Sequence, residues 1–361
     1  AFVIWALLLQ VLMVQTLRLD TALLLGFAWG GGLLTKSSAA FALYLLPFSL
    51  LLFDWHKPHR YQRFFKWLCL AGIATVIAFL FQAIIRLSPL QHMVGLKNST
   101  FVVPFKEFFQ ANAWARFRGN IQGLTDWFVA YFTWPWVIVL IGSLFLALKK
   151  SWRQTLLLLG WFAGPFLVLA AFGLILYPRF ILFMTLPLLA ILAYGIHQLS
   201  LKFKNRLLLV ICFLSLTAYA AYFSFQVIFN PINMPLPKVD RLQFLDDWPA
   251  GFGIKAIVTF LHQESQTKNI FVATEGTFGL TPYALDIYLH DQPNLTIQGY
   301  WPINDHPEEI FQELKNYDAV YILFKDTQDA NLAFPGRNLK LINQYRKGKS
   351  NIYMKFYQVL P

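Results

Sequence analysis

The sequence carries little charge. Only 13% of its 361 residues are Asp, Glu, Lys or Arg, whereas 57% are hydrophobic and the mean hydropathy is +0.50. A soluble chain of this length could not bury so much apolar surface, and the apolar residues come in long blocks. The composition therefore excludes an ordinary soluble protein and predicts a polytopic α-helical membrane protein.

Cysteine and acidic residues are also scarce. Cys69 and Cys212 both fall inside apolar blocks, which predicts a packing role for each and argues against a disulfide or a metal site. The 18 acidic residues face 30 Lys and Arg, so the formal net charge is +12. Because the basic residues cluster in short segments between apolar blocks, nucleic acid is not the expected partner.

About eight apolar segments divide residues 1–229, the predicted transmembrane region. The chain enters the first at Ala1 without a basic start or a small-residue cleavage site, so we interpret it as the remainder of a longer chain, truncated at its N-terminus. The second has only about 14 residues, short of the roughly 17–25 of a span, and ends in glycines, which predicts a broken or tilted half-helix. The segments are 1–16, 21–34, 37–53, 67–85, 130–148, 154–176, 180–199 and 207–229.

Three segments between these blocks are strongly basic. The positive-inside rule places all three in the cytoplasm, and the number of spans between them agrees. On the outer side then lie the junction at Lys36, the connection from Arg86 to Trp127, the YPRF link at 177–180 and everything after Phe229. The basic segments are HKPHRYQRFFK (56–66), KKSWR (149–153) and SLKFKNR (200–206).

The outer connection from Arg86 to Trp127 is long for a loop. Its stretch FKEFFQANAWARF (105–117) predicts an amphipathic helix on the membrane surface. Covering an active site or binding an anionic lipid head group is the alternative. His92 is interpreted as an ordinary loop histidine.

Polar residues return from Asn230, and residues 230–361 are predicted to form a small extracytoplasmic α/β domain. Strand and helix patterns alternate there, as is typical of that class. Neither GxGxxG nor GxxxxGK[ST] occurs, so a nucleotide site has no support. Strands are predicted at 269–275, 294–300, 318–325 and 351–359, and helices at 280–290 and 307–316.

Two cations stand out by their positions in this topology. Lys36 lies in GGGLLTKSSA (30–39) and Arg179 in YPRF, both near the predicted outer surface. The point charge of Lys and the planar fork of Arg both suit phosphate oxygens, and a polyprenyl phosphate carries its head group at this level. The glycines would allow backbone or ligand to approach closely. The pattern predicts a lipid-phosphate site. The alternative is that both side chains snorkel, extending their charged ends to the membrane–water interface without binding a ligand.

Carboxylates of the C-terminal region are the candidate acids. Glu275 lies in TEGTFG, and Asp246 and Asp247 lie in DDWPAG. Carboxylates on loops commonly cap turns or form ion pairs, so structural roles are the preferred interpretation. No metal ligands are assigned, and a requirement for a divalent metal stays open.

Four stretches resemble the GT-C glycosyltransferases, the superfamily of protein mannosyltransferases and of the aminoarabinose transferase acting on lipid A. GFAWGGGLLTKSSAAFALYLLPFSLLLF (26–53) is similar to a Gly-rich segment that ends in Leu-Thr-Lys. YPRFILFMTLPLLAILAYGI (177–196) is similar to a second element, although the family usually has Arg-Tyr where this chain has Arg179-Phe180. TEGTFGLTPYALDIYL and GYWPIN (274–289 and 299–304) resemble the extracytoplasmic domain of bacterial members.

This resemblance implies a GT-C-like helical bundle in a bacterial or archaeal plasma membrane. The implied reaction is an inverting transfer of a hexose or pentose from a polyprenyl-phosphate donor to a protein, lipid or glycan outside the cytoplasm. Lys36 and Arg179 would bind the departing lipid phosphate and offset its growing negative charge. The catalytic acid, which would deprotonate or position the acceptor hydroxyl, is implied upstream of Ala1, so no catalytic residue is assigned. No cofactor is implied beyond the donor.

Two other functions stay open. Secondary transporters also contain glycine-broken helices and membrane-level lysines, although no paired half-repeat is visible and they seldom end in a soluble domain of this size. A non-catalytic envelope protein could bind a lipid-linked sugar, or a partner through its C-terminal region. The sequence identifies neither the sugar nor the acceptor.

Overall fold

The computed structural model describes a mostly helical chain that divides into two compact units, Ala1–Tyr219 and Ala220–Pro361. Each unit is described below by itself. The described residues are 1–89, 91–108, 112–201, 206–277, 279–326 and 333–361.

The helices of residues 1–229 follow the predicted apolar segments, and the last of them continues across the boundary between the two units. Four stretches are long and apolar enough to cross a membrane, namely Arg60–Leu87, Trp134–Phe172, Leu182–Ser200 and Val210–Phe229. This confirms apolar helices of spanning length, whereas the number of eight spans stays a prediction. The helices are α1 (Phe2–Thr16), α2 (Leu19–Thr35), α3 (Ala40–Tyr44), α4 (Arg60–Ala83), α5 (Gln91–Phe101), α6 (Ala113–Phe132), α7 (Trp134–Phe172), α8 (Leu182–Ser200) and α9 (Arg206–Phe229).

Helix α2 runs through its glycines instead of breaking at them. It has 17 residues and ends at Thr35, so the predicted broken half-helix is wrong. A Cβ on Gly30 would lie 2.6 Å from a side-chain atom of Phe81, and one on Gly31 would lie 2.6 Å from Phe2. The glycines therefore let α4 and α1 pack closely against α2, and the space beside them is filled by side chains rather than left for a ligand.

Helices α2 and α4 run parallel. Gly26 of α2 faces Ile77 of α4. One turn further along both helices, Gly30 faces Phe81. The intervening stretch must therefore return the chain to the level where α4 begins. This stretch was predicted as one apolar segment, and it consists of α3 between two 3₁₀ turns, Ser37–Ala39 and Leu46–Leu52.

Helix α7 reverses direction at Ser151, whose φ of −146° and ψ of 53° lie outside the helical region. Phe162 packs on Phe128 of α6 with 5.6 Å between ring centroids. A straight helix would carry Phe162 about 42 Å from Trp134, where α7 begins, so its two halves fold back on each other. This agrees with the two apolar segments predicted here. The predicted KKSWR loop is replaced by a sharp reversal at Ser151, and its other residues are helical.

Two other connections differ from the prediction. The basic residues from Arg60 to Lys66 form the first turns of α4 rather than a loop. The helix predicted at 105–117 is confirmed only from Ala113 to Phe117, where α6 begins, whereas Phe105–Glu107 is a 3₁₀ turn; its place on a membrane surface stays a prediction. Phe105 and Phe108 stack on Phe172 instead, so their rings cover the end of α7. Residues 109–111 of this stretch, and Lys202 and Lys204 of the third basic segment, lie outside the described residues.

Both cysteines are exposed, Cys69 on α4 and Cys212 on α9, so the predicted packing role is wrong. The prediction assumed that apolar neighbours imply burial. Lipid tails are as apolar as Leu, so an apolar helix can turn any of its faces outward.

The C-terminal unit contains a five-stranded sheet with the order β2-β1-β3-β5-β4. Strands β1, β2 and β3 are mutually parallel, and β5 pairs antiparallel with both β3 and β4. The four predicted strands and two predicted helices are confirmed, whereas α10, α11 and β4 were missed. The elements are α10 (Lys238–Arg241), α11 (Ile254–Glu264), β1 (Ile270–Glu275), α12 (Tyr283–Leu289), β2 (Leu295–Tyr300), α13 (Pro307–Gln312), β3 (Ala319–Phe324), β4 (Leu339–Arg346) and β5 (Tyr353–Val359).

Helices cover both faces of this sheet. Helices α11 and α12 pack against one face, on side chains such as Val272 and Leu323. Helix α13 packs against the other, on Ala273 and Ile322. Strands β1 and β3 are buried along their whole length, as expected for parallel strands covered on both faces.

Candidate functional site

The ring of Phe180 brings Lys36 and Arg179 together. The ammonium nitrogen of Lys36 lies 5.0 Å from the ring centroid, and the guanidinium carbon of Arg179 lies 5.8 Å from it. Lys36 directly follows α2, and Arg179 lies in the 3₁₀ turn Pro178–Phe180 before α8. Both side chains are exposed. Two cations from distant parts of the chain therefore share one aromatic ring, at a distance typical of cation–π contacts.

Segments that were predicted to share one side meet at this end of the unit. Phe101, from the long connection, packs on Phe180 with 6.2 Å between centroids, next to Lys36. At the other end, the Lys150 ammonium donates to the side-chain oxygen of Gln198, which joins two of the predicted cytoplasmic regions. The grouping of segments agrees with the predicted topology, whereas the side that each end faces stays a prediction.

The surroundings of Lys36 suit an anion. Within the described ranges, no carboxylate forms an ion pair with Lys36. An aromatic face stabilises the positive charge of an ammonium group without using up its three N–H donors in strong hydrogen bonds. Arg179 also lies over Tyr177, 4.5 Å from its centroid, which holds the guanidinium plane beside the same turn. The pair can thus hold a group with several acceptor oxygens.

Arg116 is a cation that sequence reasoning did not single out. Its Nε and Nη2 atoms are buried in the structure and have no hydrogen-bond partner among the described residues. Asn120, one turn later on α6, donates to the carbonyl oxygens of Ala170 at 3.1 Å and Gly173 at 2.9 Å, so this part of α6 lies against the end of α7. The same helix packs against the Pro178–Phe180 turn. The side chain as a whole is half-buried, and buried polar atoms such as these two nitrogens are normally hydrogen-bonded, which makes them candidate donors to an anion.

A half-open pocket of about 630 Å³ lies elsewhere in the N-terminal unit, between the end of α4 and α5. Arg86 is its charged lining residue, and Lys36 and Arg179 do not line it. Both cations lie instead on the exposed surface of the unit. No group of three or more His, Cys, Asp or Glu that could hold a metal occurs in the part of the chain that the structure describes.

The candidate acids of the C-terminal unit are engaged in structural contacts. Asp246 forms an ion pair with Arg241, with 2.7 Å between Nε and Oδ2. The Asp247 carboxylate accepts a hydrogen bond from the following backbone N–H at 2.7 Å, which closes a turn. Glu275 is only 1% exposed and accepts from the backbone N–H of Lys325 at 2.9 Å. These contacts agree with the structural roles expected for all three.

Comparison with known proteins adds no relative. A scan against protein-family models, a search of curated proteins and a search of solved structures each found no match for this chain. The resemblance to glycosyltransferases therefore rests on the motif residues themselves.

Proposed function

We propose that this protein is a membrane glycosyltransferase of the GT-C kind, which moves a sugar from a polyprenyl-phosphate donor to an acceptor outside the cytoplasm. Lys36 and Arg179 bind the phosphate of the donor. The observation that carries the proposal is the meeting of these two cations at the Phe180 ring, because they belong to the two motifs that resemble the family.

The proposed chemistry gives the cations a defined task. The glycosidic C–O bond to phosphate breaks while a new C–O bond forms to the acceptor oxygen, which loses its proton, and the anomeric configuration inverts. Negative charge grows on the departing lipid phosphate. Two cations fixed beside it stabilise that charge more in the transition state than in the bound donor, which accelerates the reaction.

Arg116 supports an anionic ligand at this end of the unit. Its buried, unpartnered nitrogens lie on α6, the helix that packs against the turn bearing Arg179. A phosphate or diphosphate group has enough oxygens to accept from more than two cationic side chains. The transporter alternative loses its main argument, since α2 is continuous through its glycines.

Binding of the donor lipid tests the phosphate site. We expect Lys36→Ala and Arg179→Ala, each in the full-length protein in lipid nanodiscs, to weaken binding of a fluorescent polyprenyl phosphate. Loss of one charge-assisted hydrogen bond costs about 1.5–3 kcal/mol, which corresponds to an increase in Kd of about 10- to 100-fold. Arg60→Ala is the matched control, because Arg60 is exposed at the opposite end of the unit, at the start of α4.

Transfer assays separate the enzyme from the alternatives. Full-length protein should move a radiolabelled sugar from polyprenyl phosphate to an acceptor, and Lys36→Ala should slow that transfer. A Kd unchanged in Lys36→Ala, with the melting temperature preserved, would remove Lys36 from the site. Uptake of a labelled solute by proteoliposomes without sugar transfer would establish a transporter instead. Donor binding without transfer would favour the non-catalytic envelope protein.

A further inference from the structure

A crevice opens in the C-terminal unit where β1, β2 and β3 end. Its volume is about 330 Å³, which lies within the range of small-molecule sites, roughly 300–1,000 Å³. Each of the three parallel strands contributes residues that directly follow it, and the segment before α11 contributes one more. Among the residues that the structure describes, the lining consists of Trp248, Gly276, Thr277, Trp301, Lys325 and Asp326.

The crevice lies at a switch point of the sheet. After β1 the chain enters α12, whose Leu285 and Leu289 pack on the same face as α11. After β3, the next described residues, Ala333 and Phe334, pack on the opposite face together with α13. Strands β1 and β3 are neighbours, and the described helices and residues that follow them pack on opposite faces of the sheet, with the crevice between the two strand ends. Ligands of open α/β sheets bind in such gaps.

Two tryptophans flank Lys325 in this crevice. Its ammonium nitrogen lies 5.0 Å from the ring of Trp248 and 4.1 Å from the ring of Trp301. The two tryptophans remain 38% and 57% exposed, respectively. Large aromatic side chains that stay exposed beside polar groups are characteristic of recognition surfaces rather than of cores.

Buried charged side chains hold the walls of the crevice. Glu275 accepts a hydrogen bond from the Lys325 N–H and so fixes the end of β3. Burial, followed by the nearby charge of Asp326, raises the pKa of this carboxyl group. On the other wall, Lys347 is 0% exposed and donates from Nζ to the carbonyl oxygen of Trp248 at 2.9 Å. Walls that are fixed before a ligand arrives reduce the entropy cost of binding.

The lining selects a neutral, polar ligand. Lys325 and Asp326 carry opposite charges, so a polyanion and a polycation would each meet a repulsive neighbour. Thr277, Lys325 and Asp326 offer hydrogen-bond donors and acceptors that an acyl chain would leave desolvated and unpaired. A sugar ring has both required features, a C–H face that packs on indole and hydroxyl groups around its edge.

We propose that this crevice binds a saccharide, with a pyranose ring packed on an exposed tryptophan face and its hydroxyl groups hydrogen-bonded to Thr277, Lys325 and Asp326. The site is distinct from the pair Lys36 and Arg179. It does not rest on the proposed transfer activity, because a transporter or a non-catalytic protein could carry it equally.

Titration with simple glycosides tests the proposal on the full-length chain in nanodiscs. The probes are the methyl glycosides of glucose, galactose, mannose and N-acetylglucosamine, followed by saturation-transfer NMR and tryptophan fluorescence. We expect at least one to bind, and Trp301→Ala to weaken its affinity about tenfold or more through loss of the aromatic face. Trp114→Ala is the matched control, because Trp114 is an exposed tryptophan of the N-terminal unit.

Three results would overturn the saccharide site, and two further variants replace Trp301→Ala if that protein does not fold. The saccharide proposal is overturned if none of the glycosides binds at concentrations up to about 50 mM, which is on the order of the weakest measurable sugar affinities. Unchanged affinity in a folded Trp301→Ala protein also overturns it. If Trp301→Ala does not fold, Thr277→Val and Asp326→Asn decide, since each changes one lining group and should weaken binding several-fold. Binding of inorganic phosphate instead of glycosides, abolished by Lys325→Ala, would identify an anion site and overturn the saccharide assignment.

Discussion

Lys347 shows how much a single buried charge can determine within the C-terminal unit. Its side chain is fully buried, and its ammonium group donates to the backbone carbonyls of Asp247 and Trp248. Burial lowers its pKa from 10.5 to about 8, although the carboxylates of Asp326, Asp247 and Glu275 oppose that shift. The folded protein therefore gives up this proton more readily than the unfolded chain does.

The sign of the resulting pH dependence follows directly. Below pH 8 the lysine is charged in both states, and the folded state bears the full cost of burying the charge. Between about pH 8 and 10.5 the folded state loses the proton first, so this group makes the free energy of unfolding rise with pH, by up to about 1.4 kcal/mol per pH unit. We expect Lys347→Met to remove this rise of the free energy of unfolding with pH, as measured by melting curves recorded between about pH 7.5 and 10. Lys349→Met, at an exposed neighbour, should keep it, and equal slopes in both variants would refute the assignment.

The candidate site residues differ in how visible they are in the sequence, for identifiable reasons. Lys36 and Arg179 were visible because a charge between apolar segments is rare. Arg116 was not, since it lies among other charges of a long connection, and only its burial distinguishes it. Trp301 and Lys325 lie far apart in the chain and meet only because β2 and β3 end at the same edge of the sheet.

At the scale of elements, the contact between α7 and α8 is among the closest in the N-terminal unit. A Cβ added to Gly195 would lie 2.5 Å from the backbone Cα of Ser143. Neither helix can yield without shifting its backbone, so the crossing depends on the missing side chain.

We therefore expect Gly195→Ala to destabilise the protein by about 1–3 kcal/mol, the usual cost of overpacking. Gly142→Ala is the matched control, because Gly142 adjoins Ser143 and a Cβ there would have no neighbour within 4 Å. That control should be neutral or gain up to about 1 kcal/mol from its better helix propensity. Melting temperatures of the two variants in detergent measure these effects. Equal melting temperatures would show that α7 and α8 can move apart to accommodate the added methyl group.

Besides the single turn α10, the sequence analysis missed a strand and a helix of the C-terminal unit for different reasons. Strand β4 lies at the edge of the sheet, and LKLINQYR has no strict alternation of apolar and polar residues. Helix α11 did carry a signal, because Ile254, Ile257 and Leu261 follow the spacing of one helical face and are all buried. The strands that were predicted correctly have dense apolar runs, as in β3.

At the scale of the whole molecule, the orientation in the membrane is the prediction most open to a direct test. On a background with both exposed cysteines replaced by serine, Gln91→Cys should react with a membrane-impermeant maleimide in intact cells. Lys66→Cys, in the basic start of α4, should react only after the membrane is permeabilised, since the positive-inside rule places it in the cytoplasm. Both positions are exposed, so the reverse pattern of labelling would invert the topology.

The irregular stretch between α2 and α4 has a consequence for reach. It must return the chain along two parallel helices with only the residues from Ser37 to Leu52, and as a regular α-helix these would extend only about 24 Å, at about 1.5 Å per residue. The three residues of Ser37–Ala39 and the seven of Leu46–Leu52 are instead wound as 3₁₀ turns, which rise about 2.0 Å per residue. The stretch then extends about 29 Å, close to the thickness of the hydrocarbon layer at about 30 Å. The predicted topology requires this segment to cross the membrane between Lys36 and the start of α4, and the tighter winding supplies the length that a regular α-helix of 16 residues would lack.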